Sequence, residues 1–432
     1  ARTAWRQAGA TRAALAGAAA GRAAPLDDGP EGDSAAADLR WLAGAAAGRD
    51  VVWIVLESTA AQYLAPYGAH EDPMPNVSAL AARGIVFDHA YAVYPESIKG
   101  LYALLCAAEP AAYVDAAAYA ARRRPCDSLA AVLGGAGYQT ALFHSGRFVY
   151  LGMDEMVADR GFDSLVDAAA IGGAHASSFG VDEAATVARI LAHVDRRDRA
   201  RPYFVMYLPI AGHHPYESPG EGPRPFGESG DFRRYLSDLY RGDAAIGTLV
   251  AGLAARGLSE RTLFVVSGDH GEAFHQHPGN FAHSLYLYDE NVRVPLIVAA
   301  PGLTDARTGP GGGAAAPGSV RDGGAIRAPQ VTSAIDIAPT ILDALGIAAP
   351  AGHRGQSRLA PAAGVARFFT DHSAWLMGLR AGRWKLIRDV DGDHDLLFDL
   401  AADPAERHDV AATRPDLVAR YRADLERWSR PR

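Results

Sequence analysis

The stretch "DVVWIVLEST" at residues 50–59 decides how this chain is read, because an unbroken apolar, β-branched run leads directly into a carboxylate and two hydroxyls. A strand buried on both faces shows such a continuous run rather than an alternation, which points to a parallel sheet covered by helices on both sides. The same grammar recurs downstream. In "MPNVSALAARGIVFDHAYA" (residues 74–92), Pro75 and Asn76 open a helix, Gly84 ends it and residues 85–92 are extended. "SLAAVLGGAGYQTALFHSG" (residues 128–146) reads as helix, glycine turn and strand, and a long helix leads into "TLFVVSGDHGE" (residues 262–272). Strands alternating with helices predict an α/β fold, a mainly parallel sheet sandwiched between helices, over residues 49–350. Residues 351–432, with hairpin-like runs and the amphipathic "PDLVARYRADLERW", predict a smaller C-terminal α+β subdomain. Residues 1–48 are Ala/Gly/Arg-rich and then acidic, the texture of a low-complexity linker, and "TDARTGPGGGAAAPGSVRDGG" (residues 304–324) reads as a flexible surface loop.

Composition narrows the class. The chain has 432 residues, 49% of them hydrophobic and 21% charged, which suits a globular protein with a large core. A net charge of −8 argues against a nucleic-acid partner, which would call for a basic face. There is no apolar run long enough to span a bilayer. The start at Ala1 suggests a fragment or a processed chain. The spacing of the two cysteines, Cys106 and Cys126, leaves reduced thiols and one disulfide equally open.

Residues with chemistry collect at the predicted strand ends. Glu57 follows the first strand, His144 ends another, His213 and His214 follow a third, and Asp269 and His270 follow "TLFVVSG". The next loop adds His275, His277 and His283. A lone histidine after a strand is ordinarily a surface polar residue, and Asp-His-Gly is also a good turn. Four strands delivering carboxylates or imidazoles to one sheet edge form instead a ligand set for a divalent metal. "VYPESIKGLYALLC" (residues 93–106) fits beside them: Ser97 opens a helix, either as a simple cap or as a nucleophile at a helix N-terminus.

With these motifs in hand, the chain resembles the alkaline phosphatase/sulfatase superfamily from about residue 50 onward. "VVWIVLEST", "GYQTALFHSG", "SGDHGE", "YDENVRVPLIV", "AIDIAPTILDALGI", "GRWKLI" and "LFDLAADPAE" occur in that family's order. Sulfatases carry two consecutive aspartates after the first strand. Glu57-Ser58 stands here instead, as in the branch of lipoteichoic acid synthases and phosphoethanolamine transferases. The resemblance implies one divalent ion, Mn²⁺ or Zn²⁺ foremost with Ca²⁺ or Mg²⁺ open, held by Glu57, Ser97, Asp269 and His270. It implies a substrate-anion or leaving-group contact from His213, and pocket roles for His144, His277 and His283. Lys99 is a candidate phosphoryl contact, with a solvated helix-start lysine as the ordinary alternative.

Ser97 is followed by Ile98-Lys99-Gly100-Leu101, without the Pro and Arg that mark conversion to formylglycine, so an unmodified serine is expected to attack. Thr59 is the lesser candidate, too near Glu57 in sequence. Where the lipoteichoic acid branch holds a phosphoglycerol headgroup with Asp, Trp and Arg, this chain has Gly146, Leu151 and Met153, which speaks against that substrate. Trp384 and Lys385 of "GRWKLI" are expected to be structural. The expected activity is a metal-dependent hydrolase or transferase of phosphate esters acting through Ser97 and a covalent phospho-enzyme. The alternatives are a sulfuric ester hydrolase and a catalytically silent binding domain. The expected partners are small-molecule, lipid or glycan esters. A cysteine pair recurs in relatives whose catalytic domains lie outside the cytoplasmic membrane, so the resemblance favours the disulfide, an extracytoplasmic location and a membrane tether upstream of residue 1.

Overall fold

The computed structural model describes residues 36–305, 321–322 and 324–429. Its frame is a sheet of ten strands among the described residues. The first six named in chain order are β1 (Asp50–Leu56), β2 (Ile85–Tyr91), β3 (Gln139–His144), β4 (Ser164–Val166), β5 (Tyr203–Leu208) and β6 (Thr262–Gly268). From one edge the order runs Arg321–Asp322, Ala325–Ser333, β2, Leu296–Ala299, β6, β1, β5, β3, β4, with Arg293–Val294 also paired to β2. β1, β3, β4, β5 and β6 are parallel neighbours, and β2 is parallel to Ala325–Ser333. Leu296–Ala299 runs antiparallel between β6 and β2, a reversal the sequence pattern did not announce.

The continuous apolar runs are explained by burial on two sides. Along β1, Val51, Trp53 and Val55 enter one core while Val52, Ile54 and Leu56 enter the other. β5 and β6 divide in the same way. Helices Ser97–Cys106, Leu129–Gly135 and Ile337–Ala344 supply the first core; Pro75–Ala82, Glu183–Asp195 and Asp231–Ala255 supply the second. Even the polar anchor inside the sheet is paired, since the Trp53 indole N–H donates to Ser267 Oγ at 2.9 Å.

The alanine-rich N-terminal texture gave one misleading expectation. Residues 1–35 lie outside the described residues, but residues 36–48 are packed rather than extended as a linker. Ala37, Leu39, Leu42 and Ala46 are buried in the first core, and the Leu39 and Gly44 N–H groups donate to Leu359 and Asp343 carbonyls at 2.8 Å. Small side chains look low-complexity in sequence, yet they suit a segment pressed closely against a formed surface. Most of the expected Gly/Pro-rich surface loop, residues 306–320 and 323, also falls outside the described residues.

The C-terminal region forms a separate four-stranded antiparallel meander, Val365–Thr370, Leu376–Ala381, Trp384–Asp389 and His394–Asp399. Helix Pro415–Trp428 packs on it through Leu417, Tyr421, Leu425 and Trp428. A third apolar cluster joins Tyr91, Leu287 and Val292 of the main unit to Phe368, Leu376, Ile387 and Phe398. Beside it lies a buried ion cluster: Lys385 Nζ is 2.7 Å from Asp289 Oδ1 and 2.8 Å from Glu406 Oε1. Burial holds the Glu406 carboxyl up at about 7, against the pull of Lys385.

Cys106 and Cys126 are joined by a disulfide, which ties the last residue of helix Ser97–Cys106 to a segment 20 residues further on. Two stability predictions follow from these links. Lys385→Met leaves two buried carboxylates without their cation and should lower the urea-unfolding free energy by about 3–5 kcal/mol. Cys126→Ser opens the loop and should lower it by about 3 kcal/mol, a loss that wild-type protein shows equally once reduced.

Candidate active site

Parallel register brings the strand ends into line. Leu56 of β1 lies beside Gly268 of β6, and Leu208 of β5 beside His144 of β3. The residues that follow therefore emerge at one edge of the sheet, where open α/β sheets bind ligands. Glu57 and Asp269 come out side by side. Between them the chain is held tightly: Ser58 adopts a left-handed backbone (φ 51), its N–H donates to Asp269 Oδ1 at 3.1 Å and its hydroxyl to Glu57 Oε1 at 2.8 Å. A serine in that conformation is uncommon, and such backbones cluster where geometry is dictated by a site.

Ser97 is the first residue of helix Ser97–Cys106, with Glu96 capping through its carboxylate to the Ile98 N–H at 3.1 Å. The cap role is thus taken by Glu96, and the Ser97 hydroxyl is directed elsewhere. Its Oγ lies 3.1 Å from Glu57 Oε2, 3.3 Å from Glu57 Oε1 and 3.1 Å from His270 Nε2. Gly100 permits this approach, since a Cβ there would stand 3.1 Å from the Asp269 carbonyl oxygen.

His270 is fully buried, and its Nδ1 is 2.9 Å from the Gly271 carbonyl. A carbonyl only accepts, so Nδ1 carries a proton and Nε2 is the ring nitrogen turned to the site. Nε2 sits 3.4 Å from Asp269 Oδ2 and 3.6 Å from Glu57 Oε1. Burial pushes Glu57 up, but the His270, His213 and His283 imidazoles more than offset it and its carboxyl lies below the usual range. Burial and the neighbouring Glu57 charge push Asp269 well above that range. Two buried carboxylates facing one another keep both charges only when a cation lies between them. The ligand atoms of Glu57, Asp269 and His270 all fall within 4.8 Å of one another, so the donor set fits a divalent ion.

The other sequence-predicted residues divide. His213 and His283 lie within electrostatic reach of Glu57, and His144 feels the charges of Glu57 and of His213. The His283 ring centroid is 4.3 Å from that of His270, and its Nδ1 is 2.7 Å from Glu272 Oε2. Glu272 is fully buried and also accepts the Tyr216 hydroxyl at 2.6 Å. In sequence Glu272 closes "SGDHGE", and its place two residues after His270 is the one local signal for it. His144 is buried, with Nδ1 3.1 Å from the Leu208 carbonyl and its ring stacked on Phe148.

Two expectations need correcting. His277 has both ring nitrogens engaged inside the protein, Nδ1 2.6 Å from Glu290 Oε1 and Nε2 3.1 Å from the Glu406 carbonyl, and its ring stacks on Tyr288 at 3.6 Å. No ring nitrogen is left for a substrate, so its place is structural. Lys99 is not a free cation at the helix start: Nζ donates to Asp371 Oδ1 at 2.8 Å and lies 4.1 Å above the Tyr94 ring. Asp371, from the C-terminal region, was missed because nothing local in sequence links it to residue 99. Thr59 turns its hydroxyl to the Glu57 carbonyl at 2.8 Å, away from the ligand cluster.

The sulfatase family model matches residues 49–347. Arylsulfatase K of Mus musculus is 28% identical over 195 residues, a match covering 41% of this chain and 32% of that protein, so the chain spans about a third of the length of the curated relatives it matches first. Lipoteichoic acid synthase-like YvgJ of Bacillus subtilis is 22% identical over 317 residues, covering 70% of this chain and 48% of that protein. Among solved structures, the lipoteichoic acid synthase LtaP from Listeria monocytogenes superposes with a TM-score of 0.62 at 16% identity, over 89% of this chain and 94% of that one. With the family model covering well over half its length, the chain belongs to the sulfatase family.

Proposed function

We propose that the protein is a metal-dependent hydrolase or transferase of phosphate esters, with Ser97 as the nucleophile. One observation carries the reading. The Ser97 hydroxyl stands at a helix N-terminus within hydrogen-bond distance of both the Glu57 carboxylate and His270 Nε2. A structural cap has no need of that company.

Glu57, Asp269, His270 and Ser97 would hold one divalent ion, Mn²⁺ or Zn²⁺ by the mixture of carboxylate and imidazole donors. When bound, such an ion lowers the pKa of the serine hydroxyl and neutralises charge on the attacked group. The protein's own residues do the rest. Ser97 Oγ donates its proton toward Glu57 and attacks phosphorus; an Oγ–P bond forms as the bond to the leaving oxygen breaks. The helix N-terminus would add its dipole to the stabilisation of the phosphoryl oxygens. His213 and His144, at the same edge, would meet the leaving oxygen or a phosphoryl oxygen, and His283, held by Glu272, would do likewise. Water or an acceptor alcohol would then attack the same phosphorus, its O–P bond forming as the Oγ–P bond breaks and Ser97 takes back its proton. Positioning and charge neutralisation supply most of the acceleration, as in phosphoryl transfer generally.

The disulfide supports an oxidising, extracytoplasmic setting. Among the described residues no helix is long and apolar enough to cross a membrane.

A second reading, sulfate-ester hydrolysis, is favoured by the match to arylsulfatase K. Residue 97 separates the two, because sulfate chemistry in this family calls for oxidation of that side chain. Peptide mass spectrometry should find an unmodified serine at position 97; an aldehyde there would install the sulfatase reading. Chromogenic phosphate monoester, phosphodiester and sulfate substrates, offered to chelated and metal-restored protein, should show phosphoester turnover only with metal. Ser97→Ala should lower that kcat by roughly 10³-fold or more. Equal turnover by Ser97→Ala, or sulfate preferred over both phosphates, would overturn the assignment.

A further inference from the structure

The loop after β5 carries His213, and its backbone is bonded in an unusual way. Three successive N–H groups donate to buried carboxylates from two different helices. Ile210 and Ala211 donate to Glu183 Oε1 at 2.7 and 3.2 Å, and Gly212 donates to Asp238 Oδ2 at 2.9 Å. Five residues beyond His213 the loop returns to Asp238, where the Ser218 N–H and hydroxyl donate at 3.1 and 2.9 Å. Glu183 is 6% exposed and Asp238 0% exposed.

Neither carboxylate is held for local reasons alone. Glu183 is the first residue of helix Glu183–Asp195, but that helix is already capped by Asp182, whose side chain accepts the Ala185 N–H. Glu183 instead reaches across to β3 and β5, taking the hydroxyls of Ser145, next to His144, and of Tyr207. Asp238 lies mid-helix in Asp231–Ala255, facing the loop, with the Arg241 guanidinium 3.9 Å away. Burial pushes both carboxyls upward, a cost that ordinary loop closure through backbone carbonyls would avoid.

The loop is also pressed against the ligand cluster. Gly212 has φ 104, and a Cβ there would come within 2.6 Å of the Glu57 carbonyl oxygen. The backbone that carries His213 is thus seated directly on the residue that holds the nucleophile. A shift of the loop by a fraction of an ångström would move the imidazole relative to Ser97, and misplacement near 1 Å costs roughly a hundredfold in rate.

We propose that Glu183 and Asp238 are positioning residues, a two-carboxylate clamp that fixes the His213 imidazole against the nucleophile. The kinetic part of this proposal rests on the phosphoester reading above; the structural part does not.

The test is a double-mutant cycle. Glu183→Gln and Asp238→Asn should each lower phosphoester kcat/KM by about tenfold or more in the wild-type background. In a His213→Ala background the same changes should cost less than about threefold, because the group they position is gone. Losses of equal size in both backgrounds would make the carboxylates merely structural and overturn the proposal, as would no loss in either. Ser218→Ala removes one donor to Asp238 without touching a buried charge, and it supplies the second arm if Asp238→Asn fails to fold. Should no ester be turned over by wild type, the phosphoester reading fails and the clamp is judged by spectroscopy. With ¹⁵N-histidine protein, the His213 ring resonances should move in both carboxylate variants while the melting temperature stays high enough for a folded sample. Unchanged His213 resonances would sink the clamp independently of catalysis.

Discussion

Two carboxylates that would rather be apart are forced together by strand register. Leu56 pairs with Gly268 in the parallel β1–β6 ladder, so the next residue on each strand has nowhere to go but the same corner of the sheet edge. Glu57 and Asp269 then meet in a buried setting where both cannot hold charge unaided. Much of the surrounding structure follows from that conflict. Ser58 takes a left-handed backbone to donate to both, His270 turns its Nε2 inward, and the helix of Ser97 is brought close through Gly100. Hydrophobic burial on both faces of the sheet provides the free energy that holds this arrangement in place.

The sequence exposed this centre clearly because each of its parts lies at a boundary between two patterns. An apolar β-branched run that stops at Glu57, and another that stops at Asp269-His270, mark strand ends without ambiguity. Ser97 stands where a polar cluster gives way to an apolar helix. The parallel sheet, the C-terminal α+β unit and the gathering of Glu57, Ser97, Asp269 and His270 at one corner were all legible for this reason. What was not legible depended on contacts between distant positions. His277 and His283 look alike in "FHQHPGNFAHS", and only the fold shows that Glu290 and the Glu406 carbonyl occupy both nitrogens of the first. Lys99 reads as a free cation until Asp371 arrives from the C-terminal region. Glu183 and Asp238 pass for ordinary helix charges, one in a first turn and one mid-helix, and their burial is invisible without the loop they hold.

The C-terminal meander is more than an appendage in this light. It donates Asp371 to Lys99, on the helix that Ser97 opens, and Lys385 to a buried cluster with Asp289. Tyr94 adds its hydroxyl to the same Asp371 oxygen at 2.6 Å. The main sheet supplies the two carboxylates, while the smaller unit braces the element that carries the Ser97 hydroxyl. The disulfide does the same from the other end of that helix.

The antiparallel strand Leu296–Ala299 has a bearing on how the protein is made. β2 emerges early from the ribosome, yet both of its neighbours in the finished sheet, Leu296–Ala299 and Ala325–Ser333, come from the last third of the chain. Until those residues are synthesised, β2 has two open edges and an apolar face with no cover. Such long-range pairing is slow to form and leaves a growing chain open to off-pathway association. The part of the sheet built around β2 therefore closes only once Ala325–Ser333 has been made.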